Sequence, residues 1–369
     1  MRVPLLDVRR QNAPIDSDLR AAFDRVLQSG AYILGPEVER FEEAAAAVAG
    51  ARFAIGVSSG TDALLLAFMA LGIGPGDEVI CPSFTFFATA GCIARLGARP
   101  VFADSRPECF NIDAASLESL ITPRTKAIVP VHLFGQSADM DEILEIAARH
   151  GLRVVEDAAQ SFGAAYRGRP SGALGDFGTV SFYPTKNLGA FGDAGLVVTN
   201  DPSLAAQARL LRNHGAERQY FHRSVGGNFR LDAVQAALLA VKLPLLPEYT
   251  ALRQRHASEY HRLLGGIPQL ILPETRPDRT HIVNQFTVRA PGRRDALRDF
   301  LAQRDIASAI YYPLPLHCQE CFREFGSQRR LPVAEKLAAE VLSLPVFPEM
   351  TAAEQASVVE AIAEFFGVS

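Results

Sequence analysis

A chain of 369 residues exceeds one typical domain, so two packed units, or one large unit with an appendage, are expected. Its hydrophobic fraction of 48% and charged fraction of 21% suit a globular protein with a sizeable core. A net charge of −4 offers no general attraction to nucleic acid or to an anionic membrane, and no uncharged run approaches the ~20 apolar residues of a membrane helix.

The segment Met1–Arg10 scatters charges among apolar residues and lacks the apolar core of a signal peptide, so a cytoplasmic protein is expected. The first two-thirds alternates short β-branched runs with helical patterns. Strands are predicted at Ala54–Val57, Glu78–Cys81, Arg99–Ala103, Ala127–Val131, Arg153–Glu156, Thr179–Phe182 and Gly195–Thr199. Amphipathic helices at Asp62–Leu71 and Asp141–His150 lie between them, the second stopped by Gly151. This alternation implies an α/β fold with a mostly parallel sheet covered on both faces. From about Arg230 long helices take over: Leu231–Leu243, then Glu248–Leu264 after Pro244 and Pro247. A strand near Val283–Arg289 and helices at Arg293–Arg304 and Ala352–Phe366 complete a smaller α+β part. The expected division is 1–245 and 246–369.

Three stretches carry chemistry. In Ala54–Phe68 a strand runs through Ser58-Ser-Gly-Thr61 straight into a helix. Small residues let an anion approach the unpaired N–H groups of the helix start, although Ser and Thr also cap helices with no ligand present. In Leu152–Ser161, Asp157 ends a β-branched strand, the usual place for ligand-facing groups in a parallel sheet. A carboxylate there suits a protonated ring nitrogen, a metal ion or a plain cap. In Ser181–Gly195, Lys186 follows a strand and precedes a Gly-rich loop. The glycines of 172–178 follow G-x-x-G-x-x-G, which is not the dinucleotide fingerprint. Cys318 and Cys321 form a lone C-x-x-C after His317; a zinc site wants a second pair, none follows, and no metal is expected.

Anion cup, carboxylate at a strand end, then lysine about thirty residues later is the order of a fold-type I pyridoxal phosphate (PLP) enzyme, aspartate aminotransferase-like in its central sheet. The whole chain resembles the DegT/DnrJ/EryC1/StrS family of nucleotide-sugar aminotransferases. The likeness rests on Gly35–Glu42, Ser58–Leu64, Pro82–Ala88, Glu156–Gln160, Ser181–Lys186, Gly227–Gln235 and Tyr311–His317. It implies that Lys186 holds PLP as a Schiff base and moves the substrate proton. Asp157 would pair with the ring nitrogen, Gln160 with the 3-oxygen, and Phe86 would stack on the ring. Gly60, Thr61 and Ser181 would hold the phosphate, with Asn228 given by the other subunit of a homodimer. Tyr32, Tyr183, Tyr312 and His317 resemble sugar-pocket positions, and His281–Phe286 aligns with a stretch of sugar contacts.

The implied reaction moves an amino group from glutamate to a nucleotide-linked keto sugar, with C3 of a UDP-2-acetamido-3-keto hexose expected and a 4-keto sugar as the runner-up. Such a product serves lipid A or a surface polysaccharide, hence lipopolysaccharide biosynthesis. A PLP-dependent sugar dehydratase is disfavoured because histidine replaces the lysine there. A non-catalytic regulator is disfavoured because Lys186, Asp157, Gln160 and Ser181 are all present.

Overall fold

A computed structural model describes residues 2–325 and 330–368. Its main sheet has seven strands: β1 (Phe53–Val57), β2 (Glu78–Pro82), β3 (Arg99–Ala103), β4 (Thr125–Ile128), β5 (Arg153–Asp157), β6 (Phe177–Ser181) and β7 (Gly195–Thr199). They lie in the order β1-β7-β6-β5-β4-β2-β3. β3, β2, β4, β5 and β6 pair in parallel, while β7 runs antiparallel to both β6 and β1. The mostly parallel sheet read from the sequence is thus the sheet observed, and the fold is the fold-type I α/β architecture.

The period-two geometry of a strand explains the layering. Ile55, Val57 and Val197 face one way and join the core with Leu64 and Phe68 of the helix Gly60–Ala70. Their neighbours Ala54, Leu196 and Val198 face the other way, onto Phe41, Ala236 and Leu239. Burial on both faces is what makes these strands continuous apolar runs.

A separate core joins Tyr260, Phe286, Val288, Leu297, Leu342 and Ile362. It contains a two-stranded antiparallel sheet of β8 (Phe286–Arg289) and β9 (Val341–Leu344). Val3 belongs to this core and bridges to Ile306, so the N-terminal segment packs with C-terminal residues. The last helix, Ala352–Phe366, opens with a capping box between Thr351 and Glu354 and closes on left-handed Gly367.

Most expected strands lie within two residues of the observed bounds, and two differ by three residues at one end. β4 begins at Thr125 and its regular ladder ends at Ile128, although Val131 still bridges to Asp157. β8 begins only at Phe286, because Val283 takes a left-handed φ of 50° and the chain there folds over Phe134 and Gly135. Among the described residues no helix is long and apolar enough to cross a membrane.

Candidate active site

The carboxyl ends of the parallel strands converge on one edge of the sheet, where side loops can face a ligand. At the end of β1, Ser59 caps the helix Gly60–Ala70, its Oγ accepting from the Asp62 amide at 3.0 Å. The Ser58 and Ser59 hydroxyls donate to Asp62 Oδ2 at 2.6 and 3.0 Å, which fixes the turn. Gly60 and Thr61 therefore occupy the first helical turn, where amides have no intrahelical acceptor. Two glycines bring this helix mouth down onto the sheet. A Cβ on Gly60 would lie 2.6 Å from Ser181 Cβ, and one on Gly195 would lie 2.4 Å from the Ser59 carbonyl oxygen. Ser181 and Gly195 are register partners in β6 and β7. Exposed Thr61 and half-buried Ser181 thus border one cradle of N–H and O–H groups, suited to a phosphate.

Asp157 ends β5 and is 5% exposed. Oδ2 accepts from Thr89 Oγ1 at 2.9 Å and Oδ1 from the Ala159 amide at 3.2 Å. Burial raises its carboxyl above the usual value, while Thr89, the Ala159 amide, Lys186 and His132 oppose the rise. An acid buried in this way gains most from a cationic partner, such as a protonated ring nitrogen.

Lys186 lies in the turn just beyond β6, its amide donating to the Tyr183 carbonyl at 2.8 Å. Burial brings its amine down from 10.5 to about 8, with Asp157 pulling the other way. The lowered value enlarges the neutral, nucleophilic fraction near neutral pH far beyond that of an ordinary lysine.

Buried Gln160 follows Asp157 by three residues. Its Oε1 accepts from the Phe134 amide at 2.6 Å, and its Nε2 donates to the Tyr312 hydroxyl at 3.2 Å. Burial, first of several causes, raises the Tyr312 hydroxyl above its usual value, so it stays a neutral donor and acceptor. Phe86 is 56% exposed and tilted against Tyr312 with ring centroids 6.3 Å apart. It is a free aromatic face and not a core residue. The cradle, the buried carboxyl group, the amine of lowered pKa and the open ring face together fit a flat, anionic, aldehyde-bearing group such as PLP.

The remaining expected residues lie further out. Exposed Asn228 lines a cavity of about 300 Å³ with Ser58, Asp193 and Arg230 of its own chain. Tyr32 and Tyr183 are exposed, at 48% and 52%. His317 is buried, with Nδ1 2.6 Å from Ser83 Oγ and Nε2 3.3 Å from Cys318 Sγ, so its ring is engaged inside the protein. Burial lowers its pKa. His281 accepts from the Val283 amide through Nδ1 at 3.0 Å, and burial lowers it to about 4. Cys318 and Cys321 are exposed free thiols.

Thr89, Glu156 and His132 were not foreseen as site residues. Fully buried Glu156 accepts from the amides of Gly172, Leu174 and Gly175 and from His132 Nε2, anchoring the loop beside β5 and β6. Its adjacency to Asp157 is the one sequence signal; Thr89 reaches Asp157 across 68 positions and leaves none.

Residues 14–363 match the model of the DegT/DnrJ/EryC1/StrS aminotransferase family. The chain is similar to a pleiotropic regulatory protein of Geobacillus stearothermophilus, 50% identical with 99% of each chain covered. It is 46% identical to dTDP-3-amino-3,4,6-trideoxy-alpha-D-glucose transaminase of Streptomyces venezuelae, covering 99% of this chain and 96% of that one. Identity is also 46% to UDP-N-acetyl-3-dehydro-alpha-D-glucosamine 3-aminotransferase of Acidithiobacillus ferrooxidans, with 94% of each chain covered. The crystal structure of S. venezuelae DesV in complex with a ketimine intermediate superposes with a TM-score of 0.97 at 45% identity, covering 100% of this chain and 99% of that one. The chain therefore belongs to the DegT/DnrJ/EryC1/StrS aminotransferase family, whose aminotransferases use pyridoxal 5′-phosphate.

Proposed function

We propose that this protein transfers the amino group of glutamate to C3 of a nucleotide-linked keto sugar, with a UDP-2-acetamido-3-keto hexose as the substrate. The observation that carries the transaminase reading is the half-buried Lys186 amine just beyond the end of β6, brought down to about 8 by burial with the buried Asp157 carboxyl group acting on it. When bound, PLP supplies an electron sink for the charge left at the carbon that loses its proton. Lys186 takes that proton and returns it, because its amine changes protonation state close to working pH. Asp157 holds a proton on the ring nitrogen, with Thr89 aiming its carboxyl group and opposing the rise that burial causes. Gln160 presents its amide to the 3-oxygen, steadied by the Phe134 amide and Tyr312. Gly60, Thr61 and Ser181 bind the phosphate, and Phe86 covers one ring face.

Two supports favour C3: both transaminase relatives described above carry names with the nitrogen or the keto group at position 3. Their nucleotides differ, dTDP in one and UDP in the other, at the same identity. The regulatory name of the Geobacillus relative does not outweigh a site in which Lys186, Asp157, Gln160 and Ser181 are all present. Within the same reading the enzyme is a cytoplasmic homodimer with Asn228 reaching the partner's phosphate. Exposed Tyr220, in the turn of the hairpin Ala216–His222, and exposed Val225 just after it, at 84% and 92%, suit burial against a second copy. The expected boundary near 245 leaves every cofactor contact in the first part, and Tyr32 and Tyr183 with them, while Tyr312 and His317 come from the second.

The test is to incubate the enzyme with glutamate and each of a panel of UDP- and dTDP-linked 3-keto and 4-keto sugars, and to locate the new C–N bond by NMR. Amination at C3 of the UDP-2-acetamido sugar is the expected product. Amination only at C4 removes the C3 proposal; activity on free keto acids alone removes the sugar.

A further inference from the structure

The Lys186 loop is tied down by buried amides that the chemistry above does not use. Asn187, 3% exposed, donates through Nδ2 to the Ile282 carbonyl at 2.9 Å, and its Oδ1 accepts from Asn284 Nδ2 at 2.8 Å. A carbonyl only accepts, so the Asn187 atom facing Ile282 is the nitrogen. That leaves its oxygen for Asn284 and fixes the orientation of both amides.

Asn284 also reaches the other side of the site. Its backbone amide donates to the Phe134 carbonyl at 2.9 Å, and the Phe134 amide is the one held by Gln160 Oε1. The two loops touch along their backbones. Phe134 has φ 59° and Val283 φ 50°, and a Cβ on Gly135 would lie 3.0 Å from the Asn284 nitrogen and 2.9 Å from Ile282 Cγ1. The two loops are thus in close backbone contact at Gly135. The far end of the Lys186 loop is fixed separately, by Lys242 Nζ donating to the Gly189 carbonyl at 2.6 Å.

We propose that the Asn284 side chain is a positioning group, which through Asn187 sets where the Lys186 amine sits. The proposal rests on the reading of Lys186 as the cofactor lysine. Loss of the Asn187–Asn284 bond leaves that end of the loop held by Asn187 to the Ile282 carbonyl alone and loosens it, while Lys242 still holds Gly189. Lys186 then gains water and loses orientation, and the rest of the fold stays.

The experiment uses Asn284→Ala and Asn187→Ala, singly and together, in full-length apoprotein. The pH dependence of Lys186 acetylation is read by peptide mass spectrometry, and the rate of PLP capture by absorbance. The acetylation midpoint moves up from about 8 toward the ordinary 10.5. PLP capture at neutral pH slows about tenfold to a hundredfold, the scale of a misplaced reacting group. The double substitution does no more than Asn187→Ala alone, which already removes the shared bond and the bond to Ile282 as well. Thr287→Ala is the control: it breaks a buried 2.8 Å bond to Ser343 in the same core and lowers stability without moving Lys186. Should Asn284→Ala fail to fold, Asn284→Ser carries the test. An unchanged midpoint and capture rate, with only stability reduced, overturns the proposal. In the unsubstituted protein, borohydride fixing PLP on another lysine would defeat the reading of Lys186 itself; fixation on Lys186 with unmoved variants would defeat the latch alone.

Discussion

Gly60→Ala is a small change with a large expected effect on phosphate binding. The added methyl would lie 2.6 Å from Ser181 Cβ, 3.1 Å from Ser181 Oγ and 3.2 Å from Ser181 Cα. Apolar carbons rest about 3.5–4.0 Å apart, so about 1 Å of movement is required. Ser181 cannot supply it, because it pairs with Gly195 on an interior strand of a seven-stranded sheet. The helix start must lift, and the amides of Gly60 and Thr61 lift with it. Overpacking of this kind costs about 1–3 kcal/mol of stability. Losing the aim of one amide on a phosphate costs about 1.5–3 kcal/mol, or about ten- to a hundredfold in affinity. The assay is absorbance titration of the apoenzyme with PLP and, in parallel, with pyridoxal, which lacks the phosphate. Gly60→Ala should weaken PLP and leave pyridoxal unchanged. Equal PLP affinity in both proteins, or equal losses for both ligands, would refute the cradle.

Thr89→Val removes the hydroxyl that donates to Asp157 Oδ2 at 2.9 Å and should cost about 1.5–3 kcal/mol in chemical denaturation, with slower turnover although Lys186 still captures PLP. Mixing Lys186→Ala chains with Asn228→Ala chains should restore part of the activity through hybrid dimers that hold one intact site; full activity in a monomer would exclude the shared site. In the apoprotein, burial brings both Lys186 and Lys242 from 10.5 to about 8. Between about 8 and 10.5 the unfolded chain holds protons that the folded chain has released, so stability rises with pH across that window. Lys186→Met should flatten part of that rise in melting curves, Lys242 supplying the rest.

The sequence was most legible where the signal is local. Arg99–Ala103, Gly195–Thr199 and Ala352–Phe366 have the bounds expected, since each is an apolar or amphipathic run with a clear stop such as Gly367. The helix at Gly60 starts two residues earlier than periodicity suggests, because Ser59 caps it through the Asp62 amide. β9 went unread: Val341–Leu344 is too short to stand out and becomes a strand only by pairing with Phe286–Arg289. The site divides in the same way. Lys186, Asp157 and the Ser58–Thr61 turn announce themselves through residue type and position at strand ends. Thr89, Phe134 and Asn284 act through contacts between distant segments, which no spacing in one chain reveals.

The central claim is that Lys186 carries the cofactor, and borohydride reduction of the PLP-loaded enzyme tests it most directly. After proteolysis and mass spectrometry, the reduced cofactor should sit on the peptide that contains Lys186, and Lys186→Ala should retain the fold yet trap none and turn over nothing. Reduced cofactor on any other lysine, or turnover persisting in Lys186→Ala, would contradict the account.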